Sequence, residues 1–269
     1  MMKILIRISF LGTSFYGTQK QSDKKTIQGD FESLLSRVYD EKVKVTISSR
    51  LDRGVHALDF ALTFDVPNDH VTLSHLEYYL KRSVSKDIFI KEVFPVDDNF
   101  SPRYDCTNKT YLYLIQNGTN INPILNPFTY TPTKPLDIEK FKACLSLFKG
   151  LHDFRSFASP EGEEKTLLVV DDVILEEQND LLKIRFTSKA FLRYQVRFMV
   201  GTCIYVAQGK LTLDEVKESL ATGKELRIRY KADPQGLILE QINYPQLGNT
   251  QETPSVRSEE RRVGKECRL

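Results

Sequence analysis

The sequence has no tryptophan, only four cysteines and four histidines in 269 residues, and no long uninterrupted apolar run. The last absence leaves no segment of the roughly 20 apolar residues that a helix needs to cross a bilayer. Cys106, Cys144, Cys203 and Cys267 are scattered, with no C-x-x-C pair. Their spacing therefore offers neither a structural zinc site nor a disulfide framework. The histidines are equally dispersed and form no ligand cluster. The N-terminus opens on alternation (Ile4, Ile6, Ile8, Phe10) and lacks the continuous apolar stretch of a signal peptide. The expectation is a cytoplasmic protein with reduced thiols.

An excess of one charge is missing too. Residues 257–267 have no periodicity or turn logic and resemble the conceptual translation of a sequencing-library adapter. They are read as an artefact outside the fold. Removing the five basic and three acidic residues of 257–269 from totals of 38 and 36 leaves 33 of each. Net charge is then silent on nucleic acid, and any such argument must come from local clusters.

What is present is a mixed order of elements. The first strand is followed by a turn at Gly12-Thr13-Ser14. A helix then starts behind Thr26, with Ile27, Phe31, Leu34, Leu35 and Val38 as its apolar stripe. Val43, Val45 and Ile47 alternate, as do Leu58, Phe60, Leu62, Phe64 and Val66, so residues 48–57 read as a loop between two strands. A helix near 74–83 and a strand near 88–94 follow. Beyond them come a strand at 111–115, a helix through Ile138, Phe141, Leu145 and Phe148 closed by Gly150, and paired strands 166–176 and 181–187. Helices at 196–206 and 213–220 precede a last strand at 237–242. The pattern predicts an α+β fold of two related halves with largely antiparallel sheets flanked by helices. One half is expected over 1–104 and the other over 105–247, closely packed, with 248–269 as a tail.

The chemistry concentrates in Ser49-Arg50-Leu51-Asp52-Arg53-Gly54-Val55-His56-Ala57. Gly54 permits a sharp turn that presents Asp52 on a corner, and Arg50 and Arg53 could hold a phosphate or favour the ionised carboxylate. By itself the segment also reads as a solvated turn with an incidental ion pair. Far along the chain, Arg197 lies on an otherwise apolar helix, where a charge is costly unless paired.

Several blocks in order resemble the TruA family of pseudouridine synthases. The nonapeptide resembles G-R-T-D-x-G-V-H-A, and residues 15–21 (FYGTQKQ) resemble Y-G-W-Q-x-Q. Thr26-Ile27-Gln28 is similar to a helix start S-V-Q. Residues 100–104 (FSPRY) with 109–113 (KTYLY) resemble the F-x-A-R segment and the Y-x-Y strand. Residues 150–157 (GLHDFRSF) resemble G-x-H-D-F-x-S-F, residues 191–201 (FLRYQVRFMVG) resemble F-L-x-x-M-V-R-x-x-x-G, and Gly236-Leu237-Ile238-Leu239 with Tyr244-Pro245 resembles the closing G-L-Y-L…Y-P. The blocks span about residues 3–245.

The resemblance implies a pseudouridine synthase fold and isomerisation of uridine to pseudouridine on the 3′ side of the tRNA anticodon stem. It implies no cofactor and no metal, a homodimer, and neither membrane nor DNA as partner. It makes Asp52 the nucleophile and Tyr111 the aromatic that stacks on the base and could assist proton removal. Arg197 becomes the basic partner that keeps Asp52 charged, and Leu237 a pocket residue that reads equally as core. Arg50, Arg53, His56, Arg103 and Lys109 become substrate contacts, with Lys20, Lys24 and Lys25 as further phosphate contacts. Asp52 would reach a base turned out of the stack, with Arg50 filling the space it leaves. Ser49, Leu51, Arg53, Thr18 and Gln195 depart from the pattern, which suggests a divergent paralogue. A non-catalytic RNA-binding paralogue is the alternative reading. A hydrolase using Asp52 would want a second carboxylate, for which Asp59 is the nearest candidate.

Overall fold

The computed structural model describes residues 2–118, 121–159 and 165–247. The tail 248–269, including the adapter-like segment, lies outside the described residues. In chain order the elements are β1 (Lys3–Phe10), α1 (Ile27–Tyr39), β2 (Thr46–Ile47), β3 (His56–Asp65), α2 (Leu73–Ser83), β4 (Ile88–Val96) and β5 (Asn108–Gln116). They continue with α3 (Ile138–Ser146), β6 (Gly150–Asp153), β7 (Leu167–Val170), β8 (Asp172–Gln178), β9 (Leu181–Ser188), α4 (Gln195–Ala207), α5 (Leu213–Thr222) and β10 (Leu237–Asn243).

Eight strands form one sheet in the order β4-β1-β3-β10-β5-β9-β8, with β2 paired to β3, while β6 and β7 form a separate ribbon. The division expected at Tyr104 falls in the connection between β4 and β5. β10 inserts between β3 and β5. It runs antiparallel to β5, with Leu239 opposite Tyr111, and parallel to β3, with Ile238 opposite His56. Because β3 and β10 are parallel, the segments that lead into them arrive at the same end of the sheet. Those segments are the loop carrying Asp52 and the stretch 230–236.

Local chemistry accounts for the elements. Thr26 caps α1 by accepting from the Gly29 N–H at 3.2 Å, and the helix buries Ile27, Phe31, Leu34 and Leu35. Burying each side chain contributes about 1.5–3 kcal/mol relative to exposure. These residues, Phe60 of β3, Tyr113 of β5, Phe186 of β9 and Met199 of α4 all lie in the protein's buried interior. The opposite face of the sheet carries charge: Arg7, Asp59, Lys91, Arg185 and Glu240 line a shallow groove there.

Three expectations are corrected. Val43 and Val45 are not strand residues, because α1 side chains capture their backbone. The Val43 N–H donates to Ser36 Oγ at 2.9 Å, the Val45 N–H to Glu32 Oε1 at 3.2 Å, and Gln28 Nε2 to the Val45 carbonyl at 2.8 Å. Residues 166–176 split at Asp171 into β7 and β8, which belong to different sheets. In β3 the register slips between the pairs Ile8–Phe60 and Phe10–Ala57. This bulge turns Leu58 outward, breaking the expected alternation, while Asp59 is buried on the charged face.

Candidate active site

The loop between β2 and β3 is anchored at both ends. Ser48 exchanges hydrogen bonds with Ala61, its N–H to the Ala61 carbonyl at 2.9 Å and the Ala61 N–H to Ser48 Oγ at 3.2 Å. At the far end the Val55 N–H closes a turn onto the Asp52 carbonyl at 3.2 Å, with Gly54 at φ +84°. Gly54 is the third residue of that turn, where a type II geometry demands positive φ, so glycine is needed here. The turn leaves Asp52 half-buried at the head of β3.

Arg197, 145 positions away and in the first turn of α4, donates from Nη1 to Asp52 Oδ2 at 3.1 Å, and its Nε donates to the Ala232 carbonyl at 2.8 Å. Burial pushes the Asp52 carboxyl above its ordinary value, and Arg197, then Lys231, then Arg193 pull it back only in part. The attraction of Arg197, expected to hold the carboxylate charged, is thus outweighed by desolvation. The upward shift makes Asp52 a more basic, more nucleophilic carboxylate than one in water. Tyr111 on β5 is buried against the edge of Phe191, with ring centroids 5.2 Å apart at 88°. Burial is the main cause that raises its hydroxyl pKa, the Ser49 side chain lowers it, and the Asp52 charge raises it further. Tyr111 therefore stands as a neutral phenol able to donate. The phenolate that proton removal would need is disfavoured.

A family model described as tRNA pseudouridine synthase matches residues 6–105 and 145–245. A tRNA pseudouridine synthase A of Aquifex aeolicus is 38% identical over 242 residues, covering 90% of this chain and 99% of that one. Its counterpart in Dictyoglomus turgidum is 35% identical over 241 residues, covering 89% and 98%. One from Staphylococcus aureus is 32% identical over 245 residues, covering 90% and 91%. The chain belongs to the tRNA pseudouridine synthase family. It has the α+β fold expected of a pseudouridine synthase.

Not every residue expected at a synthase's RNA surface reaches it. Arg50, Arg53 and Arg103 are exposed, Arg53 lying 4.3 Å from the Tyr16 ring centroid and Arg103 5.4 Å from that of Tyr104. His56 is buried: its Nδ1 accepts the Gly12 N–H at 3.1 Å, and Nε2 faces the Pro127 and Gln235 carbonyls without closing a well-formed hydrogen bond. Lys109 is buried as well, because it shares a face of β5 with Tyr111 and Tyr113. Its Nζ donates to the Ser48 carbonyl at 2.8 Å, bracing the base of the loop that carries Asp52. Leu237 is buried at the start of β10, opposite Tyr113. Lys20 is paired with Glu32 at 2.6 Å, while Lys24 and Lys25 lie over Tyr16 and Phe15.

Two departures from the family pattern meet in this loop. Thr18, standing for the family Trp, is buried; its Oγ1 donates to the Ser49 carbonyl at 2.9 Å and accepts the Leu51 N–H at 2.8 Å. Beside the Leu51 that replaces a hydroxyl residue, the Thr18 hydroxyl thus pins the loop on both sides of Arg50. Sequence reasoning missed Tyr194, Arg193 and Lys231, which gather beside Arg197. The first two lie inside the FLRYQVR block, where Tyr194 has φ +67°, a left-handed value rare for tyrosine. Lys231 had no local signal.

Among the described residues no group of His, Cys, Asp or Glu is placed to hold a metal, and no helix is long and apolar enough to cross a membrane.

Proposed function

We propose that this protein isomerises uridine to pseudouridine in tRNA, with Asp52 as the nucleophile. The observation that carries the reading is the Asp52–Arg197 pair at 3.1 Å, assembled from both ends of a chain whose relatives are synthases of that name. The carboxylate attacks the target nucleotide and forms a covalent adduct. The N1–C1′ bond breaks, the base turns, and a C5–C1′ bond forms. C5 loses its proton and N1 gains one, so the product is an isomer and no co-reactant is consumed. Arg197 orients Asp52 through one guanidinium nitrogen while its Nε is tied to Ala232. Tyr111 supplies an apolar wall and a hydroxyl donor beside the base. A base in a stem reaches Asp52 only when turned out of the stack, and the exposed Arg50 next to the loop fits the role of filling the space left behind.

The finer readings rest on the family resemblance: the 3′ side of the anticodon stem as target, a homodimer as the working form, and the cytoplasm as its place. The test uses unmodified tRNA labelled with tritium at uridine C5. Label release by the protein and its loss in Asp52→Asn, with tRNA binding retained, is the expected result. Release of free uracil would point to a hydrolase, and binding without release to a non-catalytic paralogue. Either outcome overturns the proposal.

A further inference from the structure

The stretch 230–232 is fixed against α4 at two points. Ala232 donates its N–H to the Arg197 carbonyl at 3.0 Å, and its own carbonyl accepts from Arg197 Nε at 2.8 Å. Two residues earlier, the Tyr230 carbonyl lies 1.8 Å from where a Cβ on Gly201 would be, so only a glycine lets the helix come this close. Lys231 is held between these anchors. Its ammonium lies 3.8 Å from the Tyr194 ring centroid. That ring also meets the Arg193 guanidinium at 4.8 Å and that of Arg197 at 5.7 Å, and its hydroxyl accepts from Arg193 Nη2 at 3.0 Å.

Three cations therefore surround one tyrosine, and the neighbouring Asp52 carboxylate is already bonded to Arg197. Among the described residues Lys231 has no carboxylate within the 4.0 Å of an ion pair. Burial and the Arg197 charge both lower its pKa, and the Asp52 charge offsets this only in part. The contact with Tyr194 compensates in part. A half-buried cation crowded by two others is an anion site in waiting, and RNA carries one phosphate per nucleotide.

We infer that Lys231, seated on Tyr194, is a phosphate subsite of the catalytic pocket that grips the phosphodiester next to the target uridine. Lys231 makes the contact and Tyr194 is its positioning residue. The inference rests on tRNA being the substrate, and it deepens that reading by separating two tasks. Arg197 serves the nucleophile, whereas Lys231 serves the RNA backbone and holds the nucleotide while its base is out of the stack.

The test compares Lys231→Gln and Lys231→Arg with the unaltered protein in C5-label release across a salt series. A parallel series measures tRNA binding by Asp52→Asn with and without Lys231→Gln. Losing one phosphate contact predicts a KM about tenfold higher with the loss carried by KM, and a log–log salt slope shallower by about one in both series. Lys231→Arg should recover most of the affinity. An unchanged slope overturns the subsite. So does a fall in kcat measured above the acid limb with KM unchanged, since Lys231 would then serve the chemistry and not the RNA backbone. The acid limb itself should move to higher pH either way, because Lys231 lowers the Asp52 pKa. Failure of the unaltered protein to release label would instead defeat the functional reading itself. The binding series still reads the subsite in that case.

Discussion

Two buried Asp–Arg pairs sit on either side of the central sheet, and they are built differently. On the charged face, Asp59 has a side chain only 4% exposed and binds Arg7 through both oxygens, at 3.0 Å from Nε and 2.5 Å from Nη2. It also accepts the Ile242 N–H of β10 at 3.0 Å and has Lys91 at 3.7 Å. At the active site, Asp52 is 27% exposed and takes a single bond from Arg197. The first carboxylate is saturated and clamps strand to strand. The second keeps lone pairs to spare, so the same two residue types make a fastener in one place and leave a carboxylate open to a ligand in the other, as the proposed nucleophile requires. Asp59 is accordingly unavailable as a second catalytic carboxylate.

This contrast can be broken from either side. Asp52→Asn should lower kcat by about 10⁴-fold in the C5-label assay with little effect on the denaturant midpoint, since the turn and its neighbours persist. Asp59→Ala should do the reverse. Stranding Arg7 and the Ile242 amide should cost about 3–5 kcal/mol in urea unfolding while kcat per folded molecule is retained. Arg197→Lys keeps the charge but loses the paired geometry toward Asp52 and Ala232, and a fall of about 10²-fold in kcat is expected. Its pH profile sharpens the point. The proposed nucleophile is the ionised Asp52 carboxylate, so activity should be present above the carboxyl pKa and lost below it. Weakening the partner that lowers that pKa should move the acid limb of kcat/KM to higher pH. The smallest effect is expected from Leu51→Thr, which restores the family residue. Because Thr18 already supplies the hydroxyl to the loop, activity should change by no more than about threefold, while lost apolar burial costs about 1 kcal/mol.

Much of this could be read along the chain because the deciding signals are local. The period of α1, the alternation of β1 and the lone charge on α4 each report burial from a few neighbours. Arg197 was the most informative of them, since a cation on an apolar helix requires a partner. What stayed hidden depends on distant pairing. No window of sequence shows β10 lying parallel to β3, and without that neither the gathering of Lys231 and Tyr194 beside Arg197 nor the bracing of Ser48 by Lys109 can be foreseen. His56 and Lys109 were misplaced for a simpler reason. A polar residue in a motif was taken as facing RNA, whereas His56 is held in the interior by the Gly12 N–H and Lys109 shares a buried face with Tyr111. Val43 and Val45 alternate like a strand, but polar side chains of a neighbouring helix bonded their backbone first.

The late insertion of β10 has a consequence for how the protein is made. Until residues 237–243 leave the ribosome, β3 and β5 each present an open edge, and the stretch that carries Ala232 to Arg197 is not yet tied into the sheet. A chain stalled before that point lacks the strand that joins the two halves. It is a sheet with a gap in its middle, a form suited to chaperones and proteases, so completion of synthesis and the onset of chemistry coincide.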